Sequence, residues 1–250
     1  MIGISFDIEP DLHTSKYKGI TDGLKTIIKI LDKHRIKATF FITCDVIEKY
    51  PKLLLTIKKE GHELALHGYI HKRFDSITLR EKETQIQKSI LCFQKHLQDI
   101  PKGFRAPQHS INKETLNLLE KYQFKYDSSC TPLNLLQFIF FPAKFKIKDF
   151  FSPINKYKIR KNLYELPISS FIIPAVSLVF RAFPFFLLKT YFFVLKILNK
   201  DIIIYFHSWD FIDLPKSRIS RLFPKEKLIN NFDKFLKYNK NKFSRLIDLI

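Results

Sequence analysis

Short apolar runs alternate along the chain with longer segments whose apolar residues recur at helical spacing. The runs predict buried strands over residues 3–8, 38–42, 63–66, 103–105 and 202–206, and a last strand over 244–250. The spaced segments predict helices over residues 21–33, 47–60, 79–97, 113–122 and 224–238. This alternation indicates an α/β fold in which helices cover a parallel sheet, and 250 residues are enough for that sheet to curve into a (β/α) barrel.

Two segments interrupt the alternation within what we expect to be a single domain over residues 1–250. Residues 132–160 carry aromatic residues and prolines without a clean period, so we expect a loop insertion there. Residues 171–200 are apolar and basic, but prolines and charges break them well short of the roughly 20 consecutive apolar residues of a membrane-spanning helix. We expect packed core plus an amphipathic helix, with peripheral contact to a membrane surface as a second interpretation.

Polar side chains stand at or just after the ends of four predicted strands. They are Asp7, Glu9 and Asp11 after the first strand, His67 and His71 after the third, Arg105 at the fourth, and His207 after 202–206. The carboxyl ends of parallel strands meet on one face of the sheet, where binding and catalytic sites are built. The sequence therefore predicts that these residues form one site.

The residue types at these strand ends suit metal-assisted hydrolysis. His67 and His71 are four residues apart, and we expect one helical turn to direct both imidazoles towards a single divalent ion. Together with a carboxylate they leave coordination positions open for water and substrate. A buried arginine holds a neighbouring carboxylate ionised, and a histidine at a strand end can serve as a general acid.

Composition and charge exclude several classes of protein. Hydrophobic residues make up 46% of the chain, which excludes an intrinsically disordered protein. The net charge is +19, but the basic residues are spread along the chain without a nucleic-acid-binding motif, so we expect no nucleic-acid partner. No C-x-x-C pair occurs, and we expect the three cysteines, Cys44, Cys92 and Cys130, to be buried free thiols. We expect no signal peptide and a cytoplasmic location, with the inner face of the membrane as a variant of it.

Four motifs, in this order, resemble those of the polysaccharide deacetylase family (carbohydrate esterase family four, the NodB-homology domain). They are S-F-D-I-E-P-D, G-H-E-L-A-L-H-G-Y-I-H, F-R-A-P and I-Y-F-H-S-W-D, and the similarity extends over residues 2–211. The resemblance implies a deformed (β/α) barrel with a metal site at the carboxyl ends of its strands. It also implies hydrolysis of an N-acetyl or O-acetyl group on a glycan.

The resemblance further implies a role for each residue at the strand ends. Asp7 would be the general base that activates water, Arg105 would orient Asp7, and His207 would protonate the leaving amine. The metal ligands would be Glu9, His67 and His71, with Asp11 as the alternative to Glu9, and zinc is the usual ion of the family. We expect contacts with the sugar from Pro107, Tyr69 and Trp209.

The chain also departs from the family pattern. The family has two adjacent aspartates followed by Gly-Pro, whereas this chain has Asp-Ile-Glu-Pro-Asp. Some branches of the family have a D-x-D/E variant, which favours Glu9 as the third ligand. The Asp-rich motif that orients the acidic histidine is not found, and Asp210 or Glu165 could take that role. We expect the other histidines to be surface or structural residues: His13, His34, His96 and His109.

Three functions remain open at the level of the sequence. The first is deacetylation of a glycan at the cytoplasmic face, on a lipid-linked or nucleotide-linked sugar. The second is C–N hydrolysis of a small cyclic amide or imide, which the same superfamily contains. The third is glycan binding or membrane association without catalysis, and the joint presence of the base, the ligands, the arginine and the acid argues against it.

Overall fold

The computed structural model describes residues 1–11, 16–140, 147–214 and 222–250. Its strands are β1 Ile2–Ile8, β2 Thr39–Ile42, β3 Glu63–Leu66, β4 Gly103–Phe104, β5 Tyr126–Asp127, β6 Tyr157–Lys158, β7 Tyr164–Glu165, β8 Ser170–Phe171, β9 Ile173–Pro174, β10 Ile202–His207 and β11 Phe243–Ser244. Its helices are α1 Leu24–Lys33, α2 Cys44–Lys49, α3 Pro51–Lys59, α4 Leu79–Leu97, α5 Lys113–Lys121, α6 Leu135–Phe140, α7 Ile147–Phe150, α8 Ser177–Ala182, α9 Phe185–Leu198 and α10 Lys225–Tyr238. Strands and helices thus alternate as the sequence predicts.

A curled sheet with the order β10-β1-β2-β3-β4-β5-β7-β6 forms the centre of the molecule, and β11 pairs with β1. The strands from β10 to β7 are parallel, and β6 is antiparallel. After β7 the chain returns to the far edge, where the Ser169 amide donates to the Ile203 carbonyl at 3.0 Å. This curled sheet with helices outside it is the deformed (β/α) barrel expected from the sequence, and that prediction is confirmed.

The strands bury both of their faces because alternate side chains point to opposite sides of the sheet. On the outer side Phe6 stacks on Phe40 at 5.2 Å and on Phe206 at 5.6 Å between ring centroids. Phe41, the next residue on β2, belongs to a separate interior cluster with Tyr126. A two-sided core of this kind holds the strand ends in a fixed relative position.

Two predicted elements differ in the structure. The single helix expected over 47–60 is two helices, α2 and α3, because Pro51 starts a new helix and disfavours a helical conformation at the residue before it. The strand expected over 244–250 is also wrong, since β11 ends at Ser244 and a 3-10 helix follows over Leu246–Leu249. There the Leu246 amide donates to Thr39 Oγ1 at 2.8 Å, so the apolar run fills the end of the barrel opposite the predicted site.

The two irregular segments contain short elements. Residues 132–160 include α6, α7 and β6, and residues 141–146 of the expected insertion lie outside the described residues. Residues 171–200 include most of the β8–β9 hairpin, together with α8 and α9. Within the described part of the chain, no helix has the length and apolar character needed to cross a bilayer.

Candidate active site

The register of the sheet brings the four polar clusters to one face. β1 lies between β10 and β2, and Asp7 is directly paired with His207 on β10. Leu66 on β3 is paired with Phe104 on β4, so the residues that follow these two positions, His67 and Arg105, are also neighbours. The sequence could place each residue at a strand end, and the strand order explains why they meet.

Glu9 lies at the centre of the cluster with two imidazoles against one of its oxygens. Its Oε2 is 3.3 Å from Nε2 of His67 and 2.6 Å from Nε2 of His71. Glu9 and His67 are buried, whereas the His71 side chain is 30% exposed and borders the solvent. One ligand atom from each of the three residues lies within 4.8 Å of the others, which suits a single ion between them.

The backbone around the two histidines differs from the expected helical turn. Residues 67–73 form bends without helix, and Gly68 has φ +89°, a conformation that a side chain would strain. The His67 Nδ1–H donates to the Arg105 carbonyl at 2.8 Å, which turns Nε2 towards Glu9. A histidine fixed in this way by its second nitrogen is typical of a metal ligand.

The environment of Glu9 fits a cation. Its Oε2 is buried and accepts no hydrogen bond of acceptable geometry from any described residue, despite the two imidazoles close by. Burial alone would raise the pKa of Glu9, but the contacts of Glu9 with His67 and His71 hold this pKa well below its usual range. Burial would likewise lower the pKa of His67, and Asp7 and Glu9 raise it instead. The carboxylates therefore attract positive charge to this point, and the donor set suits a divalent metal ion.

Asp11, the other candidate ligand, is bound to backbone elsewhere. Its two carboxylate oxygens accept from the amides of Lys18 at 2.8 Å and Gly19 at 2.7 Å, where the chain enters a π-helical turn over Gly19–Gly23 ahead of α1. The structure thus gathers Glu9, and not Asp11, with the two histidines. Asp11 instead fixes the start of that helix beside the site.

Asp7 is held by a buried arginine. Nη1 of Arg105 donates to Asp7 Oδ1 at 2.7 Å, while its Nε and Nη2 donate to the carbonyl and hydroxyl oxygens of Ser128, each at 2.9 Å. Burial would raise the pKa of Asp7, but the charges of Arg105 and His67 lower it. Asp7 Oδ2 lies 3.8 Å from Nε2 of His67. One oxygen is therefore fixed by Arg105, and the other lies on the side of His67.

His207 approaches Glu9 from the neighbouring strand β10. Its Nε2 is 3.8 Å from Glu9 Oε1, and its Nδ1 is 3.5 Å from Asp210 Oδ2. Burial would lower the pKa of His207, but Asp210 and Glu9 raise it to about 9. A histidine whose pKa is raised in this way suits general acid catalysis near neutral pH.

The two candidate partners of His207 are separated in space. Asp210 also accepts from the His207 backbone amide at 2.8 Å, so it fixes both the main chain and the ring. Glu165 on β7 is paired in register with Asp127 and accepts from the Cys130 amide at 2.9 Å. Burial and the neighbouring Asp127 raise the pKa of Glu165 well above its usual range. Asp210 is thus the residue that orients His207.

The three residues expected to contact sugar have different positions. Trp209 stacks on His207 at 4.0 Å with an interplanar angle of 15°, and its Nε1–H donates to Glu9 Oε1 at 3.4 Å. The Tyr69 hydroxyl donates to Glu48 on α2, and Pro107 is buried beside Gly68. The structure brings Trp209 into the cluster and leaves the other two at its border.

Glycines next to the site allow Trp209 to take this position. A Cβ on Gly19 would lie 2.7 Å from the Trp209 nitrogen, and one on Gly23 would lie 2.2 Å from the Ser208 carbonyl oxygen. The π-helical turn thus packs directly on the backbone of the His207–Trp209 turn. The sequence contains this GxxxG spacing, but only the structure shows what it contacts.

His109, expected to be surface or structural, lies in the wall of the site. Its Nδ1–H donates to the Ser129 carbonyl at 3.0 Å, and its ring is 5.1 Å from that of Tyr205. Burial and the Arg105 charge lower its pKa to about 4, so the ring is neutral and Nε2 is an acceptor. Gln108 and His109 both have positive φ, 53° and 55°, a strained backbone of the kind found at functional sites. The sequence signal that could have identified His109 is its position two residues after F-R-A-P.

The three cysteines, Cys44, Cys92 and Cys130, are buried free thiols, as the sequence predicts. A site built on a disulfide or on exposed reactive thiols is therefore not part of this centre.

Comparison with known proteins agrees with the geometry. Residues 1–126 match the family model for polysaccharide deacetylases, which confirms the resemblance drawn from the motifs. The peptidoglycan deacetylase of Helicobacter pylori is 29% identical over 133 residues, covering 53% of this chain and 44% of that protein. The peptidoglycan deacetylase-like protein FGM2 of Gibberella zeae is 35% identical over 109 residues, which cover 43% of this chain and 32% of that protein. The chain thus spans less than half the length of both relatives.

The fold is shared more widely than the sequence. The crystal structure of PuuE allantoinase superposes with a TM-score of 0.72 at 14% identity, covering 99% of this chain and 88% of that one. At this identity the likeness concerns the fold alone. The chemistry has to be argued from the residues at the strand ends.

Proposed function

Because the chain belongs to the polysaccharide deacetylase family, we propose that it is a hydrolase that uses a divalent metal ion to remove an acetyl group from a glycan or glycan precursor. An N-acetyl group is the preferred target, and residues 1–250 act as one catalytic domain. One observation carries the proposal: the ends of four strands of one sheet bring together Asp7, Glu9, His67, Arg105 and His207.

Asp7 is the general base in this proposal. Its low pKa, caused by Arg105 and His67 against the effect of burial, keeps it ionised at neutral pH and able to take a proton from water. Arg105 fixes one carboxylate oxygen at 2.7 Å, which leaves the other available on the side of His67. Arg105 is thus a positioning residue that acts through Asp7.

His207 is the proposed general acid. An amine leaves poorly unless it is protonated, and His207 carries a proton up to a pH of about 9. Asp210 holds Nδ1, so Nε2 is the atom that faces Glu9 and the reacting group. Base and acid therefore stand on β1 and β10, on two sides of the ligand cluster.

Glu9, His67 and His71 would hold the ion, and we propose zinc. Two imidazoles and one carboxylate are a ligand set that catalytic zinc uses, with a position left for water or substrate. A bound divalent ion supplies two effects, polarisation of the amide carbonyl and a lower pKa of water. The fixed tautomer of His67 supports the assignment.

The substrate class follows from the side chains around the cluster. The indole of Trp209, stacked on His207, offers a flat surface against which a sugar ring can pack. The two relatives compared above are named for peptidoglycan, which supports an acetylated glycan or its lipid-linked or nucleotide-linked precursor. We also propose that the protein acts in the cytoplasm at the inner face of the membrane, in keeping with its net charge of +19.

Acetate release tests this function. The zinc-loaded protein is incubated with N-acetylglucosamine oligomers and, separately, with a cyclic amide such as a hydantoin. Acetate released by the wild type and not by Asp7→Asn supports deacetylation, whereas ring opening without acetate release identifies the cyclic amide hydrolase instead. Absence of both reactions in a protein that holds zinc would point to a non-catalytic glycan-binding protein.

A further inference from the structure

Helix α9 carries apolar side chains on its outer side as well as its inner side. Its inward residues are buried, among them Leu188, Phe192 and Leu195. On the other side Phe186, Phe193 and Ile197 are 64%, 63% and 69% exposed. These three stand seven and four residues apart, so they form one stripe along the helix. A helix that is apolar all round normally has a partner on every side.

The stripe continues onto neighbouring elements. The Tyr191 hydroxyl on α9 donates to the Ile173 carbonyl at 2.6 Å, which joins α9 to the β8–β9 hairpin. The hairpin exposes Phe171 and Ile172, and the Ile172 carbonyl accepts from the Leu135 amide of α6 at 3.0 Å. We call the exposed side chains of α9 and the hairpin the apolar face: Phe171, Ile172, Phe186, Leu187, Phe193 and Ile197.

The chain segment that carries the apolar face has charges of one sign. Residues 166–200 contain no aspartate or glutamate but include Lys189, Lys196 and Lys200. Lys189 on α9 and Lys234 on α10 both lie 5.9 Å from the Phe185 ring, so the lysines of the two helices flank the same side of the stripe. α10 and the turn after it add the exposed Lys237, Lys240 and Lys242. The two acidic residues of α10, Glu226 and Asp233, pair with Lys225 and Lys33.

We propose that the apolar face binds an anionic lipid bilayer. Aromatic and aliphatic side chains that enter the acyl boundary, bordered by lysines at headgroup level, are what interfacial helices present to anionic membranes. A protein partner fits less well, because lysine is depleted in protein interfaces. The bilayer accounts for the apolar stripe and for the missing acidic residues together.

The apolar face is joined to the site by a short path. The Tyr205 amide on β10 donates to the Ala175 carbonyl, just after β9, at 3.2 Å. The Tyr205 ring in turn lies 5.4 Å from that of His207. A bilayer on this face would bring a membrane-linked sugar near the candidate acid. That consequence rests on the proposed function, whereas bilayer binding itself does not.

Vesicle co-sedimentation without any substrate tests the proposal. The probes are vesicles of phosphatidylcholine mixed with phosphatidylglycerol, and vesicles of phosphatidylcholine alone. We expect the wild type to bind the anionic vesicles and the double variant Phe186→Glu/Phe193→Glu to bind them at least about tenfold more weakly. Leu91→Glu is the matched control, since Leu91 on α4 is also 63% exposed and lies outside the apolar face. It should bind like the wild type.

The lysines are tested separately. Lys189→Glu should weaken binding to the anionic vesicles by roughly fivefold or more and leave the weak binding to neutral vesicles unchanged. The proposal is overturned if the wild type does not sediment with anionic vesicles, or if Leu91→Glu loses as much binding as the double variant. It is also overturned if light scattering shows a dimer that Phe186→Glu/Phe193→Glu dissociates and vesicle binding is absent. Acetate release from soluble oligomers, measured on the same double variant, shows independently whether the hydrolase function stands.

Discussion

The strand-end cluster and the apolar face reverse the usual distribution of side chains in opposite ways. At the strand ends Asp7, Glu9 and Arg105 are charged and nearly inaccessible, with at most 5% exposure. On α9, large apolar side chains that would normally be buried are mostly exposed. A buried charge and an exposed apolar patch are the two observations about burial that carry information, since exposed polar and buried apolar residues are expected anywhere.

The two regions differ in how many of their polar atoms and apolar side chains have partners within the chain itself. Each of the three guanidinium nitrogens of Arg105 donates one hydrogen bond, and Asp7 accepts one of them. Within the described residues, the buried Glu9 Oε2 accepts no hydrogen bond, and a cation fits there. The apolar face has no covering element in the described part of the chain at all. The strand-end cluster therefore fits a small ligand at a single point, and the apolar face fits an extended surface.

The largest expected effect is at the base. Asp7→Asn should reduce kcat for acetate release by about 10²–10⁴-fold, because the amide can still accept from Arg105 but cannot take a proton from water. Metal content should stay near that of the wild type, which separates loss of the base from loss of the centre. Asp248→Asn, at an exposed ion pair with Arg245, is the control and should keep full activity. Unchanged kcat in Asp7→Asn would remove Asp7 from the chemistry.

Two adjacent phenylalanines on α9 sharpen the contrast between core and surface. Phe192 is buried and packs on Phe235 at 4.4 Å, so Phe192→Ala should lower the free energy of unfolding by about 3–5 kcal/mol. Phe193 is exposed, and Phe193→Ala should change it by less than about 0.5 kcal/mol while weakening vesicle binding. Denaturant unfolding measures both. Equal destabilisation by the two variants would mean that Phe193 is packed against protein.

The pH dependence of the reaction tests the orientation of His207. The acid form of His207 is present below a pKa of about 9 and is lost as the pH rises through that value. In Asp210→Asn the charge that raises this pKa is removed, so activity should fall at a lower pH than in the wild type. At acidic pH the two proteins should differ much less. Asp213→Asn, on the exposed loop that follows, is the matched control. An unshifted alkaline limb in Asp210→Asn would contradict the pairing.

The smallest expected effect is at His109. His109→Phe keeps the ring but removes the Nε2 acceptor and the Nδ1–H bond to Ser129, and should raise KM by about three- to tenfold. kcat and metal content should change little, since His109 is not among the ligands. His109→Gln, which can still accept a hydrogen bond, should recover part of the loss. A fall in kcat with constant KM would indicate a structural effect on Arg105 instead.

Much of the fold can be predicted from local pattern. The spacing of its apolar residues predicts α4 with its bounds, and in the structure Thr78 and Glu81 form a capping box at its start. The apolar run after β11 is wrongly predicted as a strand, because its residues are apolar in order to fill the barrel and not to form a strand. Leu246 and Leu249 fill the barrel interior. The backbone amides of Leu246 and Ile247 donate to the side chains of Thr39 on β2 and Glu63 on β3.

Some features of the site can likewise be predicted from local pattern, and others depend on distant contacts. Each strand-end residue can be found from the sequence because a polar residue that directly follows a buried strand stands out. The choices of Glu9 over Asp11 and of Asp210 over Glu165 depend on contacts between distant segments. The roles of His109 and of the glycine pair at 19 and 23 also follow from contacts between distant segments. His109 binds Ser129, 20 residues further along the chain, and the two glycines contact residues 208 and 209.

Metal content is the most direct test of the central claim that the strand ends form one metal-dependent hydrolase centre. The purified wild type, His67→Ala, His71→Ala and the control His34→Ala, whose ring pairs with Asp233 away from the strand ends, are loaded with zinc, dialysed and analysed for bound metal. The account predicts about one equivalent in the wild type and in the control, and loss from both ligand variants. A wild type that retains no zinc or cobalt, or ligand variants that retain as much as the wild type, would contradict it.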